Sequence, residues 1–246
     1  MGPRGRGPEA PTRGGRGRPA GAIVTAMDRR LGTSVALVAL LVSSLALVGA
    51  TRDETRDALP MASPRPAKPR GRVLFSDDFS SGRLQGWTPD RPGVWSVRRG
   101  MLRADLPDEK QLRSLLHAGD TLWTDVAVDL DFCMMRGVDK GLVVRVLDGT
   151  GLGVDVRGGG YQDAIVYMGG LPQGRGRAVN PNGTWNHLRI EVRGEGYRLF
   201  VNGDLVLHRA RVRGLNPRGA IALPAYTGGA GECTVWYDNV VVTALD

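Results

Sequence analysis

Cysteine and histidine are scarce: two and three residues among 246. Neither count builds a disulfide-stapled scaffold, and His117, His187 and His208 lie in separate segments without metal-ligand spacing. The nucleophile elbow G-x-S-x-G, the Walker loop, H-E-x-x-H and C-x-x-C are all missing. The hydrolase, nucleotidase, metalloprotease and thiol-redox chemistries built on those motifs are therefore not indicated. From residue 73 onward no amphipathic helix of convincing length can be traced, so a doubly wound α/β sheet is excluded.

Lysine is also rare, and most of the basic charge is arginine. The net charge of +8 comes from 33 basic and 25 acidic residues. Residues 1–72 hold 13 basic and 5 acidic side chains, which already amounts to +8; residues 73–246 hold 20 of each and are neutral. Phosphate neutralisation needs a concentrated basic face, so the composition argues against nucleic acid as the partner of the folded part.

What is present falls into four stretches. Residues 1–26 are rich in Arg, Gly and Pro and read as a disordered extension, expected to be a start-site artefact with translation beginning at Met27. Residues 27–50 combine a charged start, Asp28-Arg29-Arg30, with an apolar run and the small residues Gly49-Ala50. That order reads as a secretory signal. The run over 31–50 is also about the roughly 20 residues that cross a bilayer, so an uncleaved signal anchor is the alternative. Either reading exports the rest, and membrane contact is expected only through this anchor. Residues 51–72, with Pro60, Pro64, Pro66 and Pro69, read as an extended linker.

Residues 73–246 are a succession of strands. Val126, Val128, Leu130, Phe132 and Met134 alternate against Asp129 and Asp131. Further strand signals lie at 142–147, 153–156, 164–168, 188–192, 197–201, 205–207, 220–223 and 234–243. Asn202-Gly203 is a strong hairpin turn. The predicted fold class is all-β: a two-layer antiparallel β-sandwich or jelly roll. Trp87, Trp95, Trp185 and Trp236 sit beside apolar alternation and are expected to fill its core.

Six pieces in order then resemble one superfamily. They are Phe75-Ser76-Asp77-Asp78-Phe79 with Trp95-Ser96-Val97; Asp139-Lys140-Gly141-Leu142-Val143-Val144-Arg145; Thr184-Trp185-Asn186-His187-Leu188; Val201-Asn202-Gly203; Gly219-Ala220-Ile221-Ala222-Leu223; and Tyr237-Asp238-Asn239-Val240. Together they look like a concanavalin A-like lectin/glucanase domain, closest to the 3-keto-disaccharide hydrolase group, with laminin-G-like modules next.

The resemblance implies a sugar-related role. The hydrolase group tends to carry a Glu where this chain has Asp155, and a Gln and His where it has Pro224 and Tyr226. Catalytic candidates are thus Asp155 and the alternating pair Asp129 and Asp131, although the glucanase signature Glu-x-Asp-x-x-Glu is missing. The expected ligand-binding set is Arg145, Asp155, Tyr161, Tyr167 and Tyr226, with Trp123 as a further apolar platform. Many such sandwiches tie first and last strands through calcium, for which Asp77, Asp78 and Asp238 are the candidates; backbone capping by the same side chains is the alternative. The superfamily also pairs its last strand with the one at 126–135, which would let Cys133 and Cys233 form a disulfide. Three readings stand: an exported module binding carbohydrate or envelope glycan on its concave face, an enzyme cleaving 3-keto-glycosides, and a structural or protein-interaction module.

Overall fold

The computed structural model describes residues 58–61, 63, 71–177 and 180–245. The extension 1–26, the signal segment 27–50 and most of the linker 51–72 lie outside the described residues. No helix among the described residues is long and apolar enough to cross a membrane.

Among the described residues fifteen strands form two antiparallel sheets. The back sheet runs β13 (Asp204–Arg209), β12 (Gly196–Val201), β11 (Trp185–Arg193), β6 (Val126–Arg136), β15 (Cys233–Ala244), β4 (Met101–Leu106) and β3 (Trp95–Arg98). β1 (Val73–Asp77) pairs with the far end of β15. The front sheet runs β10 (Leu171–Arg177), β9 (Asp163–Met168), β8 (Thr150–Arg157), β7 (Asp139–Leu147), β14 (Ala220–Tyr226), β5 (Arg113–Ala118) and β2 (Trp87–Pro89). The expected sandwich is the fold.

Period-two alternation builds the core. Val126, Val128, Leu130, Phe132 and Met134 of β6 meet Leu152, Val154 and Val156 of β8 and Ile221, Leu223 and Ala225 of β14 in one apolar cluster. Trp87 and Trp95 join it. Trp236 does not: with Met101 and Cys133 it forms a second buried cluster, against which Trp185 packs. Its neighbours in sequence, Val235 and Tyr237, belong to the inter-sheet core, and strand parity sends Trp236 to the opposite side.

β15 lies antiparallel to β6, as the resemblance implied, but the register keeps the cysteines apart. Cys133 stands opposite Trp236, and Cys233 stands opposite Leu106 of β4. Cys233 faces the inter-sheet core and Cys133 the outer cluster. No disulfide joins them; both are buried thiols. Burial pushes the Cys133 thiol up to about 12.

β10 carries no apolar alternation and follows from packing instead. A Cβ on Gly176 would lie 2.5 Å from the Val206 carbonyl oxygen of β13, so the bare backbone lets the two edge strands of opposite sheets approach.

Candidate functional site

Parity leaves Gly151, Gly153 and Asp155 of β8, Val143 of β7, Tyr167 of β9, Pro224 and Tyr226 of β14, and Arg113 and Leu115 of β5 on the outer face of the front sheet. These residues line one open cavity of about 790 Å³, together with Asp90, Arg91 and Gln111. The volume is in the range of small-molecule sites. Strand register sets small groups side by side in its floor. Val143 faces Gly153, and Gly153 faces Tyr167.

The floor is held from beneath by two buried aromatics of the back sheet. Pro224 cannot donate to the β-ladder, and the pairs Ala222–Val143 and Ala225–Lys140 place it opposite Gly141. The Tyr237 hydroxyl fills that gap. It donates to the Pro224 carbonyl at 2.7 Å and accepts from the Gly141 N–H at 3.4 Å. Burial holds the Tyr237 phenol well above its usual pKa, so it remains a donor. Gly141 has no room for a side chain, since a Cβ there would sit 2.0 Å from the Val154 carbonyl oxygen. Nearby, the Trp95 indole donates to Ser114 Oγ at 2.8 Å, and Ser114 donates to Asp90 at 2.7 Å. The Leu115 N–H also donates to Asp90, at 2.8 Å. Asp90 is thereby fixed on the rim.

Polar groups converge over this floor from three strands. Asp155 and Tyr167 are diagonal neighbours on β8 and β9, since Asp155 faces Ile165 and Tyr167 faces Gly153. Burial first, then the Asp155 charge, raise the Tyr167 pKa, so the phenol is protonated at neutral pH. Tyr226 donates to Gln111 across the β14–β5 side of the cavity.

Asp155, Tyr167 and Tyr226 are thus brought together, and the other expected ligand residues are not. Arg145 is 1% exposed and sits at a positive-φ irregularity of β7 that takes it out of the outer-face alternation. Its guanidinium donates to the Asn216 carbonyl at 2.6 Å and to Asp125 at 3.1 Å. Tyr161 lies in the β8–β9 turn under the Arg157 guanidinium, 4.1 Å from the ring centre, and lines a separate cavity with Gln162 and Asn202. Trp123 is half-buried against the core and Gly119.

The pair Asp129 and Asp131 shares a face, but on the back sheet, across the core from Asp155. His187 of β11 binds both, with Nδ1 at 2.8 Å from Asp131 and Nε2 at 3.3 Å from Asp129. The Asp129 and Asp131 hydrogen bonds push the imidazole up to about 9. Asp129 also accepts from Arg189 at 2.5 Å, and Asp131 accepts from Asn239 at 2.8 Å. Both carboxylates are therefore engaged in a charge network. His187 had no sequence signal as their partner, because the contact spans 56 residues.

The carboxylates expected as calcium candidates each accept hydrogen bonds from nearby groups. Asp77 accepts from the Phe79 N–H at 2.7 Å and the Trp87 indole at 2.8 Å, and Asp78 accepts from the Ser80 N–H and hydroxyl. Asp238 accepts from Ser63 and the Asn239 N–H, and burial raises its pKa. Among the described residues no three His, Cys, Asp or Glu side chains form a group that would hold a metal ion.

The fold is a lectin/glucanase-type β-sandwich. The chain belongs to the family described as the 3-keto-alpha-glucoside-1,2-lyase-like domain, which matches residues 72–243. Solved structures agree on the fold. The carbohydrate-binding module CBM66 from Bacillus subtilis is 15% identical at a TM-score of 0.54, covering 65% of this chain and 96% of that one. The VIP36 exoplasmic/lumenal domain, solved in a Ca2+/Man3GlcNAc-bound form, is 12% identical at 0.56, covering 71% and 91%. Domain 4 of AbnA, an extracellular arabinanase from Geobacillus stearothermophilus in complex with arabinotriose, is 14% identical at 0.52, covering 71% and 93%. No curated protein matches the chain.

Proposed function

We propose that the chain binds carbohydrate across the outer face of its front sheet. The observation that carries this is the convergence of Asp155, Tyr167 and Tyr226, from three strands, over a floor of Gly151, Gly153, Val143 and Pro224. A sugar ring presents a flat C–H face to such a floor and hydroxyls to its edges. Carboxylate and phenol groups then accept and donate in one plane. The family assignment supports sugar as the ligand class, and so do the neighbours solved with glycans. A glycan array with the full chain tests this: capture of a defined glycan, lost in Asp155→Ala and Tyr226→Ala, is expected. Silence across diverse glycans would overturn it.

A second reading is favoured by one feature, the pairing of a single carboxylate with a protonated phenol. A 1,2-elimination from a 3-keto-glucoside needs a base for the C2 proton, made acidic by the adjacent ketone. It also needs an acid at the departing glycosidic oxygen. Asp155 would take the C2 proton while the C1=C2 bond forms and the C1–O bond breaks, and Tyr167 would protonate the leaving oxygen. Turnover of 3-keto-glucosides that disappears in Asp155→Asn supports this; no turnover of that class discards it.

We also propose export of the domain, supported by the signal-like residues 27–50. Fractionation of cells expressing the full chain, with N-terminal sequencing of the mature protein, tests export and cleavage together.

A further inference from the structure

The rim of the cavity carries two guanidinium groups that the sugar-binding reading above does not use. Arg91 and Arg113 line its β5 end and are both exposed. The front sheet's Arg157 has a carboxylate partner in Asp163, at 2.7 Å, and the back sheet's Arg136 and Arg189 are likewise paired. Among the described residues neither the Arg91 nor the Arg113 guanidinium has an ion-pair or hydrogen-bond partner. The rim carboxylate beside Arg91 in sequence, Asp90, is taken by Ser114 and the Leu115 N–H.

The surface also continues beyond the cavity. Tyr167 lines a second depression of about 420 Å³ with Pro172 and Arg175 of β10 and Arg209 of β13; there Arg175 lies 3.5 Å from Asp163, and Arg209 donates through Nε to the Gln173 carbonyl at 2.9 Å. Arg175 faces Ile165, and Pro172 faces Tyr167, so both stretches share the outer face. From β5 to β10 there are five inter-strand steps, about 24 Å at the usual spacing. That is several sugar rings long, with an arginine pair at either end and Asp155 and the tyrosines between.

We infer that the ligand is an anionic glycan chain, whose carboxylate or phosphate groups are read by Arg91 and Arg113 at one end of the surface and by Arg175 and Arg209 at the other. The guanidinium fork matches both anions, so uronate and phosphodiester chains share this chemistry. The inference rests on the sugar-binding reading above.

Titration calorimetry of the full chain with three probes tests it: an oligogalacturonate, the same oligomer fully methyl-esterified, and a glycerol-phosphate oligomer. At least one anionic probe should bind tenfold or more tightly than the neutral ester, and which one it is separates the uronate from the phosphate source. High salt should close that gap. In the double variant Arg91→Gln/Arg113→Gln the ratio should fall below about threefold with Tm unchanged, because both side chains are exposed. Equal binding of ester and acid, or a preference kept by the double variant, would overturn the anionic reading while leaving sugar binding intact. No binding of any probe would also overturn it, and the glycan array decides the sugar reading separately.

Discussion

Tyr237 of the back sheet hydrogen-bonds through its hydroxyl to the carbonyl of Pro224 in the front sheet, at 2.7 Å across the core. Pro224 interrupts a ladder in the middle of its sheet, and Tyr237 replaces the missing link to Gly141. The floor of the cavity therefore depends on a residue that never touches the cavity.

Tyr237→Phe should leave the Pro224 carbonyl and Gly141 N–H without that partner. The expected cost is about 1–3 kcal/mol, or a fall in Tm of roughly 2–12 °C for a domain of this size. Glycan affinity should weaken with it. Thermal unfolding followed by calorimetric titration checks both; an unchanged Tm would mean the bridge holds nothing.

His187 gives a pH dependence of definite sign. Its folded pKa is about 9 and its ordinary value 6.5, raised by Asp129 and then Asp131. The stabilisation is complete below about pH 6.5 and is lost as the pH rises through about 9. Denaturation midpoints measured from pH 6 to 10 should fall across that window, and His187→Gln should flatten the curve. An imidazole titrating near 6.5 by NMR would contradict the clamp.

The thiols offer a simpler check. Both are buried, and Cys133 is held protonated by burial. Thiol reagent should find two groups per chain after denaturation and essentially none before it, and reductant should leave Tm unchanged. One disulfide per unreduced chain by mass spectrometry would contradict the register of β6 against β15.

Much of this architecture is legible in the residues. The alternation from Val126 to Met134 assigns a strand and its buried face, and Asn202-Gly203 marks the turn between β12 and β13. Asp155 and Tyr226, picked out by family resemblance, do reach one cavity. Register was not legible. Two irregularities in β15, at Thr234/Val235 and Asp238/Val241, offset its pairing with β6, and nothing local announces them. The same kind of irregularity removes Arg145 from the face that simple alternation gives it. β10 was missed because Gly174 and Gly176 answer to β13, which is distant in sequence. Of the supports beneath the floor, Trp95 reads as an ordinary core aromatic and Tyr237 only as part of the family resemblance; their roles emerge when the two sheets are stacked.

Gly153 offers the most direct test of where the sugar binds. It lies in the floor between Val143 and Tyr167, and a Cβ added there meets nothing within 4 Å. Gly153→Leu should fold with an unchanged Tm and raise a side chain into the cavity. The account predicts that glycans captured by the wild-type chain on an array are lost from this variant, with affinity down a hundredfold or more by titration. A folded Gly153→Leu that binds as wild type does would contradict the front-sheet site.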